Sequence, residues 1–188
     1  MSSSELRPKS LEEIIAGCKK NQLKAQELFY QHFYGYSMSI CLIYSDSKDD
    51  AVEIMNDGFL KIFKHIRNQK QPKAIKSWIR RIMINTAIDH YRRTKKHRHY
   101  TELDHTQQSG GEGEIYGKLA ASEILSMVQL LPTSYRTVFN LYVIEGYSHK
   151  DISDILGISE GTSRANLSYA NKELRKMLAK WLNIEYLK

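Results

Sequence analysis

The sequence predicts an all-α protein in which a flexible linker joins two small helical domains, the second of them a helix-turn-helix. Apolar residues recur at three- and four-residue steps along most of the 188-residue chain, and only 3 prolines interrupt them. No stretch shows the regular alternation of a strand. Residues 100–117 are rich in glycine and acidic side chains, which is typical of a linker. We therefore expect domains at residues 1–97 and 119–188, with the linker at 98–118.

Amphipathic helices are predicted throughout the first domain. An aromatic-rich helix covers 23–44, a second begins at Asp46 or Ser47, and a polar loop at 68–76 precedes a third. The apolar face of the second helix is expected to comprise Val52, Met55, Phe59, Ile62, Phe63 and Ile66. The apolar face of the third is expected to comprise Trp78, Ile79, Ile82, Ile88 and Tyr91.

The second domain is expected to begin with one helix through Leu131 and another over 135–145. Two short helices and a tight turn then follow in residues 148–176. Ser148 stands three residues before Asp151, the spacing of a capping box, and Gly157 suits the left-handed conformation that ends a helix. Ser159 can cap the next helix. This layout is that of a helix-turn-helix.

The last of these helices has two distinct faces. Its inward face is predicted to comprise Ser163, Leu167, Ala170, Leu174 and Met177. Ser163 interrupts this apolar pattern, so looser packing is expected there. The outward face is predicted to carry the DNA-binding residues Arg164, Ala165, Ser168, Tyr169, Lys172 and Arg175.

These outward residue types suit a helix lying in the major groove of DNA. Arg164 can donate two hydrogen bonds to a guanine, while the hydroxyls of Ser168 and Tyr169 can reach bases or phosphates. Lys172 and Arg175 are better suited to phosphate, which fixes position without reading sequence. The alternative is a plain helical hairpin with a solvated basic face.

Charge and composition narrow the functional classes. The formal net charge of +7 and the pI of about 9.3 favour a polyanionic partner such as nucleic acid. No signal peptide and no membrane-spanning run are recognised, and Cys18 and Cys41 have no metal-ligand spacing. We expect buried thiols in a reducing cytoplasm, no metal and no cofactor.

Three segments together resemble bacterial RNA polymerase sigma factors of the extracytoplasmic-function (ECF) subfamily. Residues 50–63 look like the helix that grips core RNA polymerase, and residues 78–93 look like the promoter-melting helix. Residues 131–163, from Leu131-Pro132 to Gly161-Thr162-Ser163, look like the C-terminal DNA reader. The resemblance covers nearly the whole chain beyond the first ten residues, and the three segments occur in the family's order.

The resemblance implies that the first domain contacts polymerase and the minus-ten promoter element, whereas the second reads the minus-thirty-five element. The implied polymerase-binding residues are Glu53, Asn56, Asp57 and Lys61. The implied DNA-binding residues of the first domain are Arg80, Arg81, Asn85, Arg92 and Arg93. An anti-sigma factor is implied as an inhibitory partner.

Two further expectations concern strand opening. By the same resemblance, the loop 69–76 forms a pocket for one extruded base, and the acidic linker occupies a polymerase channel as a mimic of RNA. Trp78 is interpreted as a core residue in preference to a stacking platform. Arg92 and Arg93 have the alternative role of a solvated, cationic helix end.

Two other functional classes compete with a sigma factor. An enzyme could use His97, His99, Asp104 and His105, but these residues lie in or beside the linker, where no rigid geometry can hold ligands. A DNA-binding regulator with a ligand-sensing N-terminal domain would share the same helix-turn-helix. The combination of an acidic-polar helix with a basic helix at 50–93 favours the sigma factor. No catalytic residues are predicted.

Overall fold

A computed structural model describes residues 10–69, 74–98 and 121–182, and every regular element in these ranges is helical. The expected all-α fold is confirmed. The elements are α1 (Leu11–Lys19), α2 (Leu23–Tyr44), α3 (Lys48–His65), a 3₁₀ turn (Ile66–Asn68), α4 (Ile75–Arg98), α5 (Ala121–Gln129), α6 (Thr133–Phe139), a π-helical turn (Asn140–Ile144), α7 (His149–Leu156) and α8 (Glu160–Trp181).

The chain divides into two compact units. One takes in Met1–Leu42 and Ser47–Ala87, and the other takes in Ile43–Asp46 and Ile88–Lys188. The predicted linker, with its acidic residues, lies outside the described residues, as do residues 70–73 of the loop expected to hold a flipped base.

The first unit has an interior of large apolar side chains. Phe29 packs its ring against Phe33 and Phe63, with centroids 4.7 and 5.9 Å away. The largest fully buried side chains of this unit are Phe29, Phe33, Ile54, Met55, Ile62, Ile66, Ile79 and Met83. Ser47 caps α3 by accepting a hydrogen bond from the backbone N–H of Asp50, so the predicted helix start is confirmed.

The buried faces of α3 and α4 differ in part from the predicted ones. In α3 the small residues Ala51 and Gly58 are buried, as is Ile54, whereas the predicted Val52 and Phe63 are only half-buried. A Cβ at Gly58 would collide with the side chain of Met83, so glycine permits the close approach of α4. In α4 the buried residues are Ile75, Ile79, Met83, Ile84, Thr86, Ala87 and Ile88, while Trp78, Ile82 and Tyr91 are half-buried.

The second unit has a smaller interior with more polar groups. Val128, Leu131 and Ala170 form an apolar cluster, against which half-buried residues of α6 and α8 pack. The buried guanidinium of Arg136 donates to the backbone carbonyl of Gln129 at 2.8 Å and to Asp46 at 2.5 Å. The helix predicted over 135–145 begins earlier, at Thr133, and changes from α to π at Asn140.

Candidate nucleic-acid interface

The helix-turn-helix begins with a capping box, as the sequence predicts. The backbone N–H of Asp151 donates to Ser148 Oγ at 3.1 Å, and the Asp151 carboxylate accepts from the Ser148 backbone N–H at 3.0 Å and hydroxyl at 2.5 Å. The hydroxyl hydrogen bond, followed by the backbone one, lowers the pKa of the Asp151 carboxyl below its ordinary value. The pair therefore fixes the start of α7 most firmly when Asp151 is ionised.

The turn between α7 and α8 also follows the prediction. Gly157 has φ 62° and ψ 43°, a left-handed conformation that other residues adopt only with strain. Ser159 then caps α8, because its hydroxyl accepts from the backbone N–H of Thr162 at 3.0 Å. Caps at both helix starts and a left-handed glycine between them define the direction in which α8 leaves the turn.

A buried polar contact joins the two helices. Ser163 is fully buried and its Oγ lies 2.9 Å from Nδ1 of His149, the first residue of α7. The ring of Tyr142 stacks on His149 with a centroid distance of 4.5 Å. The expectation of loose packing at Ser163 was wrong, since the hydrogen bond to His149 replaces the missing apolar contact. Nothing in the sequence pattern paired these residues, which stand fourteen positions apart.

The outward face of α8 is where the sequence places it. All six predicted residues, Arg164, Ala165, Ser168, Tyr169, Lys172 and Arg175, are exposed, whereas Ser163 and Ala170 on the opposite face are fully buried. Leu167, Leu174 and Met177, also predicted to face inward, are half-buried, and the last two pack against the cluster of Val128, Leu131 and Ala170. The helix therefore packs on its inward side and leaves its polar face accessible.

Two contacts on this face were not predicted. Arg164 forms an ion pair with Glu160, the first residue of α8, and both side chains stay about half exposed. The ring of Tyr169 stacks on Tyr135 of α6 with a centroid distance of 5.5 Å and an interplanar angle of 19°. Four-residue spacing between Glu160 and Arg164 was the signal that could have identified the ion pair.

The predicted DNA-binding residues of α4 occupy different surroundings. Arg81 and Asn85 are exposed and lie one helical turn apart, so they share a side of the helix. Arg80 is half-buried. Arg92 and Arg93 are exposed, and a guanidinium nitrogen of Arg92 donates to the backbone carbonyl of Asp154 at 3.2 Å.

The predicted polymerase-binding residues lie on one polar side of α3. Glu53 and Asn56 are exposed, and Asp57 and Lys61 are half-buried. Asn56 Oδ1 accepts a hydrogen bond of 3.2 Å from the Tyr30 hydroxyl, whose pKa is raised by partial burial and then by Tyr34.

One apolar residue of this surface was missed. Leu60 is 69% exposed beside the predicted polar residues of α3. Its place outside the buried stripe of α3 was the signal in the sequence that could have identified it.

The described residues also bear on metal binding, membrane insertion and thiol chemistry. Within residues 10–69, 74–98 and 121–182, no group of three or more His, Cys, Asp or Glu side chains is arranged to hold a metal ion. No helix in the described part of the chain is both long and apolar enough to cross a membrane. Cys18 and Cys41 are buried free thiols, and burial raises their pKa values to about 11 and about 12.

Comparison with known proteins decides the family. Residues 29–97 match the model of sigma-70 region 2, and residues 121–174 match that of sigma-70, region 4. The RNA polymerase sigma factor SigZ of Bacillus subtilis is 34% identical over 137 residues, covering 73% of this chain and 76% of SigZ. The chain is an ECF RNA polymerase sigma factor.

Other relatives agree with this assignment. SigV of Bacillus subtilis, also an RNA polymerase sigma factor, is 30% identical, and the match covers 80% of this chain and 86% of SigV. The ECF RNA polymerase sigma factor SigE of Mycolicibacterium smegmatis is 28% identical, and the match covers 72% of this chain and 54% of SigE. This sigma factor thus recognises promoters and initiates transcription with RNA polymerase.

Proposed function

We propose that the outward face of α8 reads the minus-thirty-five promoter element. The observation that carries this proposal is the contrast on α8 between the buried Ser163 and Ala170 and an exposed polar face, immediately after a capped, left-handed turn. A helix held in this way can enter the major groove with its N-terminal half against the base edges. The same arrangement explains why Ser163, rather than a reading residue, contacts α7.

Each exposed residue of α8 has a distinct role in this proposal. Arg164 donates two hydrogen bonds to a guanine, and the methyl group of Ala165 suits a thymine methyl. Ser168 and Tyr169 offer hydroxyls, the latter from a ring held by Tyr135. Lys172 and Arg175 neutralise phosphates near the C-terminal end of the face. The N-terminal half of the helix thus supplies specificity and the C-terminal half supplies general affinity.

Two substitutions test this division of labour in polymerase holoenzyme. Arg164→Ala should weaken binding to the preferred promoter by about 1–3 kcal/mol and relax selectivity at one base position. Lys172→Ala should weaken binding to all promoters alike and reduce the slope of log affinity against log salt by about one phosphate. Footprinting across a promoter library at several salt concentrations measures both. Identical behaviour of the two variants would contradict the assignment of Arg164 as a base reader.

The polar side of α3 is proposed to bind core RNA polymerase through Glu53, Asn56, Asp57 and Lys61. Carboxylate and amide oxygens on one helix face can accept hydrogen bonds from arginines, which are enriched at interfaces. The exposed Leu60 adds an apolar contact beside them.

A charge reversal on α3 tests this surface. Asp57→Arg should prevent co-elution with core polymerase on a sizing column while the far-ultraviolet circular dichroism stays unchanged. Glu12→Arg is the matched control, since Glu12 is an exposed acid on α1 and the charge change is the same. A complex that forms normally with Asp57→Arg would rule out this surface.

Strand opening is proposed to involve α4, where Arg81 and Asn85 contact the displaced strand and Arg80, Arg92 and Arg93 attract its phosphates. The double variant Arg81→Ala, Asn85→Ala should slow transcription from a duplex promoter, because an unpaired strand is no longer held. A promoter with a pre-opened bubble should restore much of the rate. Equal loss on both templates would contradict a role in opening.

The remaining parts of the proposal concern cellular context. The domains at 1–97 and 119–188 divide the minus-ten and minus-thirty-five contacts between them. We place the protein in the cytoplasm, where polymerase acts, with no catalytic activity, no metal and no cofactor of its own. An anti-sigma factor as an inhibitory partner stays a prediction of the family resemblance, and a pull-down from the native cell tests it.

A further inference from the structure

An acidic residue stands at the N-terminal end of the proposed reading face. Glu160 is the first residue of α8, and its carboxylate pairs with the guanidinium of Arg164 one turn later. The side chains are 44% and 55% exposed, so neither is withdrawn from a partner arriving in solution. The residue proposed to read a guanine therefore already has a partner before DNA binds.

This carboxylate lies where helix-turn-helix proteins contact base edges, near the start of the second helix. A negative charge at that place is repelled by DNA phosphates. An exposed ion pair within a helix also contributes little to folding. Neither affinity for DNA nor stability is a strong reason for Glu160 to face Arg164.

Selectivity between bases is a stronger reason for Glu160 to face Arg164. A guanidinium recognises a guanine only when its two donors point together at the acceptors of that base. A free arginine side chain has many rotamers and can instead contact the nearest phosphate. A carboxylate on the same helix face restricts the side chain and leaves part of the guanidinium available to the base.

We propose that Glu160 is a positioning residue for Arg164 and thereby sets how strongly the sigma factor prefers guanine at the position that Arg164 reads. This inference rests on the proposed role of Arg164. Glu160 holds the guanidinium away from the phosphates and aligned with the groove, so a promoter that lacks the guanine gains little from Arg164.

The same helix contains a matched control. Glu173 pairs with Lys176 at 2.7 Å, and the side chains of this pair are 37% and 59% exposed. Removing either carboxylate deletes one negative charge from α8, but only Glu160 contacts the proposed base reader. Any effect of charge alone should therefore be common to both variants.

The experiment measures binding of holoenzyme to a promoter library in which each position of the minus-thirty-five element is varied. Glu160→Gln should lower the preference for guanine at one position by roughly two- to fivefold, the range expected for an exposed ion pair. Arg164→Ala should change the same position. Glu173→Gln should leave every base preference as in the wild type, although affinity for all sequences rises slightly in both glutamine variants.

A second variant separates positioning from charge and from helix stability. Glu160→Asp keeps the negative charge and its favourable place at a helix N-terminus, but its side chain is one methylene shorter. It should also lose guanine preference, and the double variant Glu160→Gln, Arg164→Ala should match Arg164→Ala alone at that position. Thermal unfolding of each variant verifies that α8 stays folded.

The outcomes distinguish this inference from the proposed function beneath it. If Arg164→Ala weakens all promoters uniformly, Arg164 does not read a base and both proposals fail. If Arg164→Ala is selective but Glu160→Gln behaves like Glu173→Gln, or Glu160→Asp behaves like the wild type, only the positioning role fails. A changed preference at a different base would show that Glu160 contacts DNA itself, which also overturns the positioning role.

Discussion

The interior of the first unit differs in kind from that of the second. Eight of the largest fully buried side chains in the described residues belong to the first unit, and they include two phenylalanines and two methionines. The second unit contributes four, all aliphatic, namely Leu141, Ile152, Val128 and Val138. Its buried polar residues are Ser45, Arg136, Thr137, Asn140 and Ser163, against Ser37 and Thr86 in the first.

This difference suits the work proposed for each unit. Apolar packing is non-directional, so it stabilises a body without fixing one helix at a particular angle to its neighbour. Hydrogen bonds are directional, and a buried one that is left unmade is unfavourable. The pair Ser163–His149 and the cap at Ser159 therefore fix the orientation of α8, on which the reading of a base depends.

The largest expected effect is the loss of an aromatic side chain from the first unit. Phe29→Ala should reduce the free energy of unfolding by about 3–5 kcal/mol, because it removes a fully buried ring that contacts Phe33 and Phe63. Val128→Ala, in the second unit, should reduce it by only about 2 kcal/mol, since fewer methyl groups are lost. Urea unfolding followed by circular dichroism compares them. Equal losses would remove the contrast between the two interiors.

The next effect tests whether the buried hydroxyl holds α8. Ser163→Ala should reduce the free energy of unfolding by about 1–2 kcal/mol, because the ring nitrogen of His149 loses its partner. Ser168→Ala is the matched control on the exposed face of the same helix and should change stability by less than about 0.5 kcal/mol. Thermal unfolding measures both variants. Similar losses in the two would show that the contact between α7 and α8 is not needed for stability.

The local signals in the sequence predicted the helix-turn-helix well. Capping residues at Ser148 and Ser159 and the left-handed Gly157 act on their immediate neighbours, so the printed order of residues is enough to place them. The contact of Ser163 with His149 is not local, and no periodicity brings the two residues together. The π turn at Asn140–Ile144 also involves a contact that is distant in sequence, since the side-chain amide of Asn140 donates to the backbone carbonyl of Ile43.

Small residues account for the errors in the predicted buried face of α3. Ala51 and Gly58 are buried, and Gly58 lies against Met83 of α4. A hydrophobic pattern gives little weight to such small side chains. The exposure of the six outward residues of α8 was predicted correctly, because apolar residues at three- and four-residue steps mark the opposite side of the helix. The Glu160–Arg164 ion pair was not predicted, although the four-residue spacing of the two side chains on one helix allows it.

A pair of glycines gives effects of opposite sign in the two units. Gly157→Ala should reduce the free energy of unfolding by about 1–2 kcal/mol, because alanine is strained at φ 62°. Gly35→Ala, inside α2, should increase it by about 0.5–1 kcal/mol, since an added Cβ meets nothing within 4 Å and alanine is the better helix former. Melting temperatures of the two variants should therefore move in opposite directions. A gain at position 157 would show that the turn can relax.

The smallest effect concerns the capping box at the start of α7 and appears only in acid. The Ser148 hydroxyl lowers the pKa of Asp151 in the folded state below its ordinary value of 3.8. Folding therefore favours the carboxylate, and this contribution to stability is present above pH 3.8 and is lost as the pH falls through the lowered pKa. Ser148→Ala removes the larger of the two hydrogen bonds, so its melting temperature should fall less steeply than that of the wild type over this acidic range. Ser153→Ala, which removes a hydroxyl that donates to the Lys150 carbonyl in the same helix, should keep the wild-type slope. Parallel slopes for all three proteins would mean that the charge of Asp151 does not stabilise the start of α7. The directional hydrogen bonds proposed to orient the helices of the second unit would then be those of Ser159 and Ser163 alone.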